Sequence, residues 1–300
     1  MKAPCGGGEM ADQRDVEAVR LGLPKGRMKD GVFSLLADAG IRLTVDARGY
    51  RPSLSLAGFE TKILKPQNIV EMLHAGSRDL GFAGADWVAE LGVEVVELLD
   101  TGLNPVEVVA AAPVALLVDG RLPDQRLVVA SEYERLTRAW IARRGLDASF
   151  VRSYGATEVF PPEDADCIVD NSATGSTLRA NKLGVVDVVM RSTTRLYAHP
   201  RVLEDKAKRA LCDDLVLLLR SVLDARRRVM VEVNVGIDQL EALVAILPCM
   251  REPTVARLHG GAGYAVKAAV SRAELPSVIP QIKACGGTDI VVTRLAQIVP

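Results

Sequence analysis

From residue 16 to residue 190, short β-prone apolar runs alternate with segments of helical length, and Gly or Pro marks most junctions. Strands are read at residues 19–23, 41–45, 61–64, 79–82 and 93–98. Helices are read between them at 28–39, from Pro66 to near Gly76, and at 86–90. Such alternation predicts an α/β sheet of parallel strands with helices on both faces. Asn104-Pro105 marks the expected crossing into a second lobe, which opens with the apolar residues 106–117. Further strands are expected at 126–130, 149–152, 167–170 and 185–190. A helix at 132–144 is expected to be capped by Ser131 and stopped by Gly145, and another to run over 177–183.

Residues 203–228 contain neither Gly nor Pro, and Leu203, Ala207, Leu211, Leu215, Leu219 and Val222 recur at helical spacing. One long amphipathic helix follows from that stripe. Beyond it the pattern is strand 229–235, helix 237–246, strands 254–258 and 264–270, helix 274–284 and strand 289–295. The order βαββαβ is that of a ferredoxin-like module, although fold alone assigns it no role. The domain plan is thus a flexible leader at 1–15, with Met10 as an alternative start; a first lobe at 16–104 and 185–228; a second lobe at 105–184; and a C-terminal domain at 229–300.

Composition narrows the function. With 49% hydrophobic residues there is ample surface for a core, which excludes a disordered chain. A formal net charge of -1 and 4% aromatic residues exclude a global nucleic-acid footprint and a base-stacking platform. A single basic cleft for anionic small molecules stays open. The five cysteines form no CxxC pair and the three histidines no HExxH, so no metal site and no disulfide framework is predicted. A cytoplasmic location is the expectation. The longest nearly apolar run, 108–118, contains Pro113 and is far short of a membrane span.

The chemistry concentrates in Asp166-Cys167-Ile168-Val169-Asp170-Asn171-Ser172-Ala173-Thr174-Gly175-Ser176-Thr177-Leu178. An apolar strand ends at Asp170, and small hydroxylated residues lead into a helix. Backbone N–H groups at a helix start, with the dipole behind them, suit a phosphate. Gly175 permits close backbone approach, and Thr174, Ser176 and Thr177 can donate hydroxyl hydrogen bonds. Asp170 suits the vicinal hydroxyls of a sugar. Ordinary helix capping by Ser and Thr is the competing reading. Leu23-Pro24-Lys25-Gly26-Arg27 is a second strand-to-helix junction, whose two cations oppose the helix dipole unless an anion lies between. A solvated helix start is the alternative there. Neither GxxxxGK[ST] nor GxGxxG occurs. Cys167, Trp87 and Trp140 read as packing residues, His74 as a helix-end residue, and Gly260, Gly261 and Gly263 as a loop between strands. Tyr154 reads either as a nucleotide neighbour or as a packed surface residue.

Together these segments resemble ATP phosphoribosyltransferase in its long form, which carries a C-terminal histidine-regulatory domain. The resemblance rests on Leu23 to Arg27; on Arg48-Gly49-Tyr50-Arg51-Pro52 with Lys65-Pro66-Gln67-Asn68-Ile69; on Asp79-Leu80-Gly81-Phe82-Ala83-Gly84-Ala85-Asp86-Trp87; and on residues 170–181. Leu247-Pro248 and Glu252-Pro253-Thr254-Val255 fit the regulatory domain. The resemblance implies two catalytic lobes of periplasmic-binding-protein type with a cleft between them, and an ACT-like C-terminal domain. It implies transfer of the phosphoribosyl group of PRPP to N1 of ATP, the first step of histidine biosynthesis, with Mg2+ mainly substrate-bound. Asp170, Ser172, Ala173, Thr174, Gly175, Ser176 and Thr177 would hold PRPP. Lys25, Arg27 and Asp170 would carry the catalytic roles. Lys25, Gly26, Arg27, Arg51 and Glu158 would serve the nucleotide or pyrophosphate. Histidine would act as effector, with Asn234 and Thr254 as contacts, in a homohexamer that binds neither nucleic acid nor membrane. Two positions depart from the family pattern: Asn171 stands where an apolar residue is usual, and Lys65 where Arg is common. The rival readings are a two-lobed small-anion binding protein and an inactive regulatory paralogue.

Overall fold

The structure is a computed structural model that describes residues 17–45 and 49–299; the expected leader, Met10 and Arg48 lie outside the described residues. The chain divides into two compact units. One holds the chain up to Val32 and Arg42–Asp214; the other holds Phe33–Ile41 and the chain from Leu215 onward.

The elements of the first unit begin with β1 (Val19–Pro24), α1 (Met28–Asp38), β2 (Leu43–Thr44), β3 (Ser53–Leu54), β4 (Phe59–Leu64), α2 (Pro66–His74), β5 (Leu80–Gly84) and α3 (Ala85–Leu91). They continue through β6 (Val96–Pro113), β7 (Leu127–Ser131), α4 (Glu134–Arg144), β8 (Ala148–Arg152), β9 (Cys167–Ser172), α5 (Ser176–Ala180) and β10 (Leu183–Ala198) to α6 (Lys206–Arg226). α1 and α6 are each divided between the two units. Eight strands form one sheet in the order β4-β1-β5-β10-β6-β9-β7-β8. β4, β1 and β5 run parallel, as do β9, β7 and β8; β10 and β6 are antiparallel to each other and to their outer neighbours. β5 is buried at every position, as a strand covered on both faces must be. β6 shows the same double burial by alternation. Val108, Ala110 and Ala112 pack with Tyr133 and Trp140, whereas Val109 and Ala111 pack with Ile168 and Leu178.

Several expectations shift. The Asn104-Pro105 crossing falls inside β6, an 18-residue strand, where Asn104 has φ 49° and the ladder to β10 changes register. The strand expected at 185–190 is the 16-residue β10. The helix expected over 177–183 is only the five-residue α5; Lys182 at φ 56° ends it and Leu183 opens β10. Ser131 does not cap α4: its Oγ donates to Val169 O (2.5 Å) and accepts from Tyr133 N (2.8 Å). Gly145 does stop α4, in the left-handed conformation at φ 65°. Cys167 is a core thiol, pushed by burial up to about 12.

The second unit continues with β11 (Arg228–Gly236), α7 (Leu240–Ile246), β12 (Thr254–Arg257), β13 (Gly263–Ser271), α8 (Leu275–Ala284) and β14 (Thr288–Arg294). Its sheet order, β12-β13-β11-β14, is ferredoxin-like. Val229, Val231, Val233 and Val235 alternate onto one face and pack with Leu243, Val278 and Ile282 of α7 and α8. Among the described residues no helix is long and apolar enough to cross a membrane.

One ion cluster ties three elements of the first unit. Asp79, just before β5, accepts from Arg20 N (2.8 Å), Nε (3.0 Å) and Nη2 (2.9 Å), and Lys208 Nζ of α6 lies 3.8 Å away. Burial pushes the Asp79 carboxyl up, but the hydrogen bonds from Arg20 and the charges of Arg20 and Lys208 outweigh it and hold the carboxyl below its ordinary value of 3.8. Asp79→Asn keeps the shape and removes the charge, so we expect a loss of roughly 2–3 kcal/mol at neutral pH, read from urea midpoints. The ionised, depressed carboxylate stabilises above its unfolded value and stops doing so as pH falls through the folded one. The gap between wild type and variant should therefore close below about pH 4.

Candidate active site

The register of the long strands sets where the two halves of the sheet meet. Gly84, the last residue of β5, pairs with Thr194, which pairs with Leu103 of β6. Ser172, the last residue of β9, pairs with Glu107 of β6. β5 runs with β6 and β9 runs against it, so their carboxyl ends face each other across about 13 Å of β6. Parallel α/β sheets place ligands at strand carboxyl ends. In this unit every such end delivers polar side chains to one region: Lys25 and Arg27 after β1, Lys65 after β4, Asp86 after β5, Glu132 and Tyr133 after β7, Tyr154 after β8, and Asp170 and Asn171 at the end of β9.

Two cavities occupy the meeting point. The smaller, about 280 Å³, is lined by Arg27, Glu158, Asp170, Asn171, Ser172, Ala173, Thr174, Gly175, Ser176, Thr177 and Leu178. The larger, about 540 Å³, is lined by Lys25, Gly26, Arg27, Met28, Lys65, Pro66, Gln67, Asp86, Trp87, Glu132, Tyr133, Tyr154, Gly155 and Asn171. Arg27 and Asn171 belong to both. Tyr154 is 89% exposed on the rim. Arg51 is not brought to either cavity; it lines another of about 290 Å³ with Glu60, Lys62 and Arg78.

The loop of the smaller cavity is built by its own hydroxyls. Gly175 N donates to Ser172 Oγ (3.1 Å), Ser176 N to Thr174 Oγ1 (3.4 Å), and the Thr174 and Ser176 hydroxyls share a hydrogen bond (2.9 Å). Gly175 sits at φ 70°, a left-handed conformation that costs other residues about 1 kcal/mol or more. The first α5 bond runs from Arg179 N to Gly175 O, so the N–H groups of residues 176–178 precede the helical ladder. A five-residue helix has little macrodipole, so what the loop offers a ligand is its local N–H groups and hydroxyls.

Asp170 lies on the wall of this cavity. Burial pushes its carboxyl up to about 6. The Asn171 N–H opposes that rise, Glu158 and Glu132 add to it, and Arg27 opposes it. Asn171 donates to Asp170 Oδ1 from its backbone N (2.7 Å) and from Nδ2 (3.3 Å). Asn171 Nδ2 also donates to Tyr133 OH (3.1 Å), whose hydroxyl donates to Asp86 Oδ2 (2.7 Å). Asp86 Oδ1 accepts from Ser192 Oγ of β10 (2.6 Å). Trp87 packs on Tyr133, with ring centroids 4.7 Å apart. Among the described residues no three His, Cys, Asp or Glu side chains cluster to hold a metal ion.

Comparison with known proteins places the chain in a family. The family pattern described as ATP phosphoribosyltransferase matches residues 65–221, and that described as the HisG C-terminal domain matches residues 225–297. An ATP phosphoribosyltransferase of Pelotomaculum thermopropionicum is 35% identical over 287 residues, covering 94% of this chain and 99% of that one. The chain belongs to the ATP phosphoribosyltransferase family. A Chlorobium phaeobacteroides member is 33% identical, over 91% of this chain and 94% of its own. The solved ATP phosphoribosyl transferase (HisG:HisZ) complex from Thermotoga maritima shares the fold, with TM-score 0.60 and 21% identity over 69% of this chain and 98% of that one.

Relative to the sequence reading, Lys25, Gly26, Arg27, Glu158 and Asp170 to Thr177 line the two adjoining cavities, and Arg51 does not. Asn234 and Thr254 lie in the second unit. Asn234 on β11 donates to Asp289 Oδ2 (3.0 Å), and Thr254 opens the edge strand β12. Sequence reasoning missed Tyr133, Asp86 and Ser192. The available signal was the Asp86 carboxylate two residues past the apolar run Leu80-Gly81-Phe82-Ala83-Gly84, where a charge calls for a partner.

A carboxylate held above its ordinary value opposes folding once pH rises through both values. Stability tied to Asp170 is full below the unfolded value and lost as pH passes about 6. We therefore expect Asp170→Asn to be more stable than wild type near pH 8, by on the order of 2 kcal/mol, with the gain gone below about pH 4. Thermal unfolding across that range checks it.

Proposed function

We propose that this chain transfers the 5-phosphoribosyl group of PRPP to N1 of ATP, giving phosphoribosyl-ATP and pyrophosphate, the first step of histidine biosynthesis. The observation that carries the reading is the smaller cavity, where a hydroxyl-rich loop, the Asp170 carboxylate and the Arg27 guanidinium face one another. The loop 172–177 receives the 5′-phosphate, and Asp170 accepts hydrogen bonds from the ribose hydroxyls. The larger cavity, with Lys25, Arg27 and Lys65, takes the nucleotide. Glu158 borders the phosphoribosyl side. In the reaction the N1 lone pair forms the bond to C1′ while the C1′–O electron pair leaves with pyrophosphate. Holding N1 in line with C1′ supplies much of the acceleration. Lys25 and Arg27 stabilise the charge that develops on the departing oxygens. Mg2+ held by the polyphosphate substrates would neutralise part of that charge. The chain works in the cytoplasm as a homohexamer.

Purified protein with ATP, PRPP, Mg2+ and pyrophosphatase should form phosphoribosyl-ATP. Tight PRPP binding without turnover would instead favour a small-anion binding protein. Gly175→Val strains the left-handed residue and obstructs the loop, so kcat/KM for PRPP should fall about tenfold to a hundredfold while the fold persists. Unchanged PRPP kinetics would remove the loop assignment.

The second unit is the seat of feedback inhibition by histidine in this reading. Asn234 and Thr254 share one face of its sheet by register, since Thr254 pairs with Lys267 and Lys267 with Glu232, two residues before Asn234. Histidine should inhibit the intact enzyme in a way that excess PRPP or ATP does not fully overcome. Asn234→Ala should raise the inhibitory concentration several-fold with kcat unchanged, measured by histidine titration at fixed substrate.

A further inference from the structure

A chain of buried polar side chains links the two halves of the large sheet where their strand ends meet. Asp86 is 3% exposed and Tyr133 fully buried. Asp86 N donates to Ser192 Oγ (3.1 Å), and Ser192 Oγ–H returns a bond to Asp86 Oδ1 (2.6 Å), so the carboxylate is anchored on β10 by one oxygen. Its other oxygen accepts a hydrogen bond from the Tyr133 hydroxyl (2.7 Å). Burial, then the charge and hydrogen bond of Asp86, push the Tyr133 hydroxyl up, so the phenol stays protonated and donates to Asp86. With its proton committed, the Tyr133 oxygen presents only lone pairs to Asn171. The Asn171 side chain must therefore turn its NH2 to Tyr133, and the same NH2 reaches Asp170 Oδ1 at 3.3 Å.

We propose that Tyr133, held by Asp86, is a positioning residue that fixes the Asn171 amide and, through it, the Asp170 carboxylate in its ribose-binding orientation. The proposal rests on the reading of Asp170 as the ribose-binding carboxylate. The fixed amide keeps two N–H donors on Oδ1 and leaves Oδ2 for the substrate. Without the Tyr133 hydroxyl nothing fixes which end of the Asn171 amide faces Asp170, and its carbonyl oxygen can accept from the protonated acid, which favours the uncharged form. The charged groups that face Asp170 from the surrounding elements are Glu158, Glu132 and Arg27. Removing the Tyr133 hydroxyl alters none of these three but takes a donor from Asp86, an effect that persists in an Asn171→Ala background, so the part of a change in Asp170 ionisation that vanishes in that background reports on the amide.

The test is a cycle of Tyr133→Phe, Asn171→Ala and the double variant, with kcat/KM for PRPP followed from about pH 5 to 9. Tyr133→Phe should lower kcat/KM about tenfold near pH 6 and much less near pH 8, because the acid limb moves upward. In the Asn171→Ala background the same substitution should add less than about twofold. An acid limb that coincides with wild type, or a full-sized Phe effect in the Ala background, overturns the proposal. Thermal midpoints of all variants separate misfolding from positioning. Should Tyr133→Phe fail to fold, Asn171→Ala alone decides, a displaced limb supporting the proposal and a wild-type limb overturning it. Should wild type show no turnover, the activity reading fails. A carbon-13 titration of the Asp170 carboxyl in wild type and Tyr133→Phe then decides the positioning proposal by itself: a raised midpoint in the variant supports it, and an unchanged midpoint overturns it.

Discussion

The antiparallel pairing of β6 with β10 is the constraint on which the catalytic unit depends. Each long strand belongs to both halves of the sheet, and the reversal between them turns the carboxyl ends of the two parallel halves toward each other. A uniformly parallel sheet would spread its loops along a single edge. Here the junctions after β1, β4, β5, β7, β8 and β9 share one region, so residues from Lys25 to Asn171 line adjoining cavities despite their separation in sequence. The bulge at Asn104 lies at the point of convergence, and the Asn104 side chain holds the Arg27 carbonyl through Nδ2 (3.3 Å). Strand register and the placement of Arg27 are thus set together.

Two aspartates show how position decides the role of one chemical group. Asp79 is buried, yet its carboxyl is held down, because Arg20 gives it backbone and side-chain donors and Lys208 adds a second cation. Asp170 is held up, by burial first and then by Glu158 and Glu132, against the Asn171 N–H and the Arg27 charge. The first arrangement spends its donors on stability. The second keeps a carboxylate partly unsatisfied at a cavity wall, which opposes folding and leaves acceptor capacity for a ligand.

Local signals carried the sequence reading where burial and chain punctuation agree. β5 read as a strand because a strand buried on both faces is a continuous apolar run, β1 because Arg20 alone interrupts one, and the βαββαβ order survives because its alternation and turn residues coincide. The lengths of β6 and β10 were not legible. Gly102, Asn104 and Pro105 interrupt β6, and Asp187, Arg191 and Arg195 interrupt the apolar run of β10, so punctuation pointed to boundaries that pairing overrides. Ser131 looked like a cap because its preference for helix starts is local, whereas its real partner is a carbonyl 38 residues away. The loop and its Asp170 were legible because composition alone exposes them. The support behind them was not: an aromatic residue at a helix start is indistinguishable from a core residue until the strands after which Asp86 and Asn171 lie are brought together.

That difference follows from what each part must do. A phosphate loop works through backbone N–H groups, so its signature is small residues in an unbroken run, visible in one stretch of sequence. Orientation of a single carboxylate works through directed hydrogen bonds, and direction is supplied by groups anchored elsewhere. Asp86 comes from one half of the sheet, and Tyr133 and Asn171 from the other, with Ser192 on the strand that joins them. If the carboxylate is positioned as proposed, its orientation therefore depends on residues contributed by both halves of the sheet, and no single stretch of sequence could announce it.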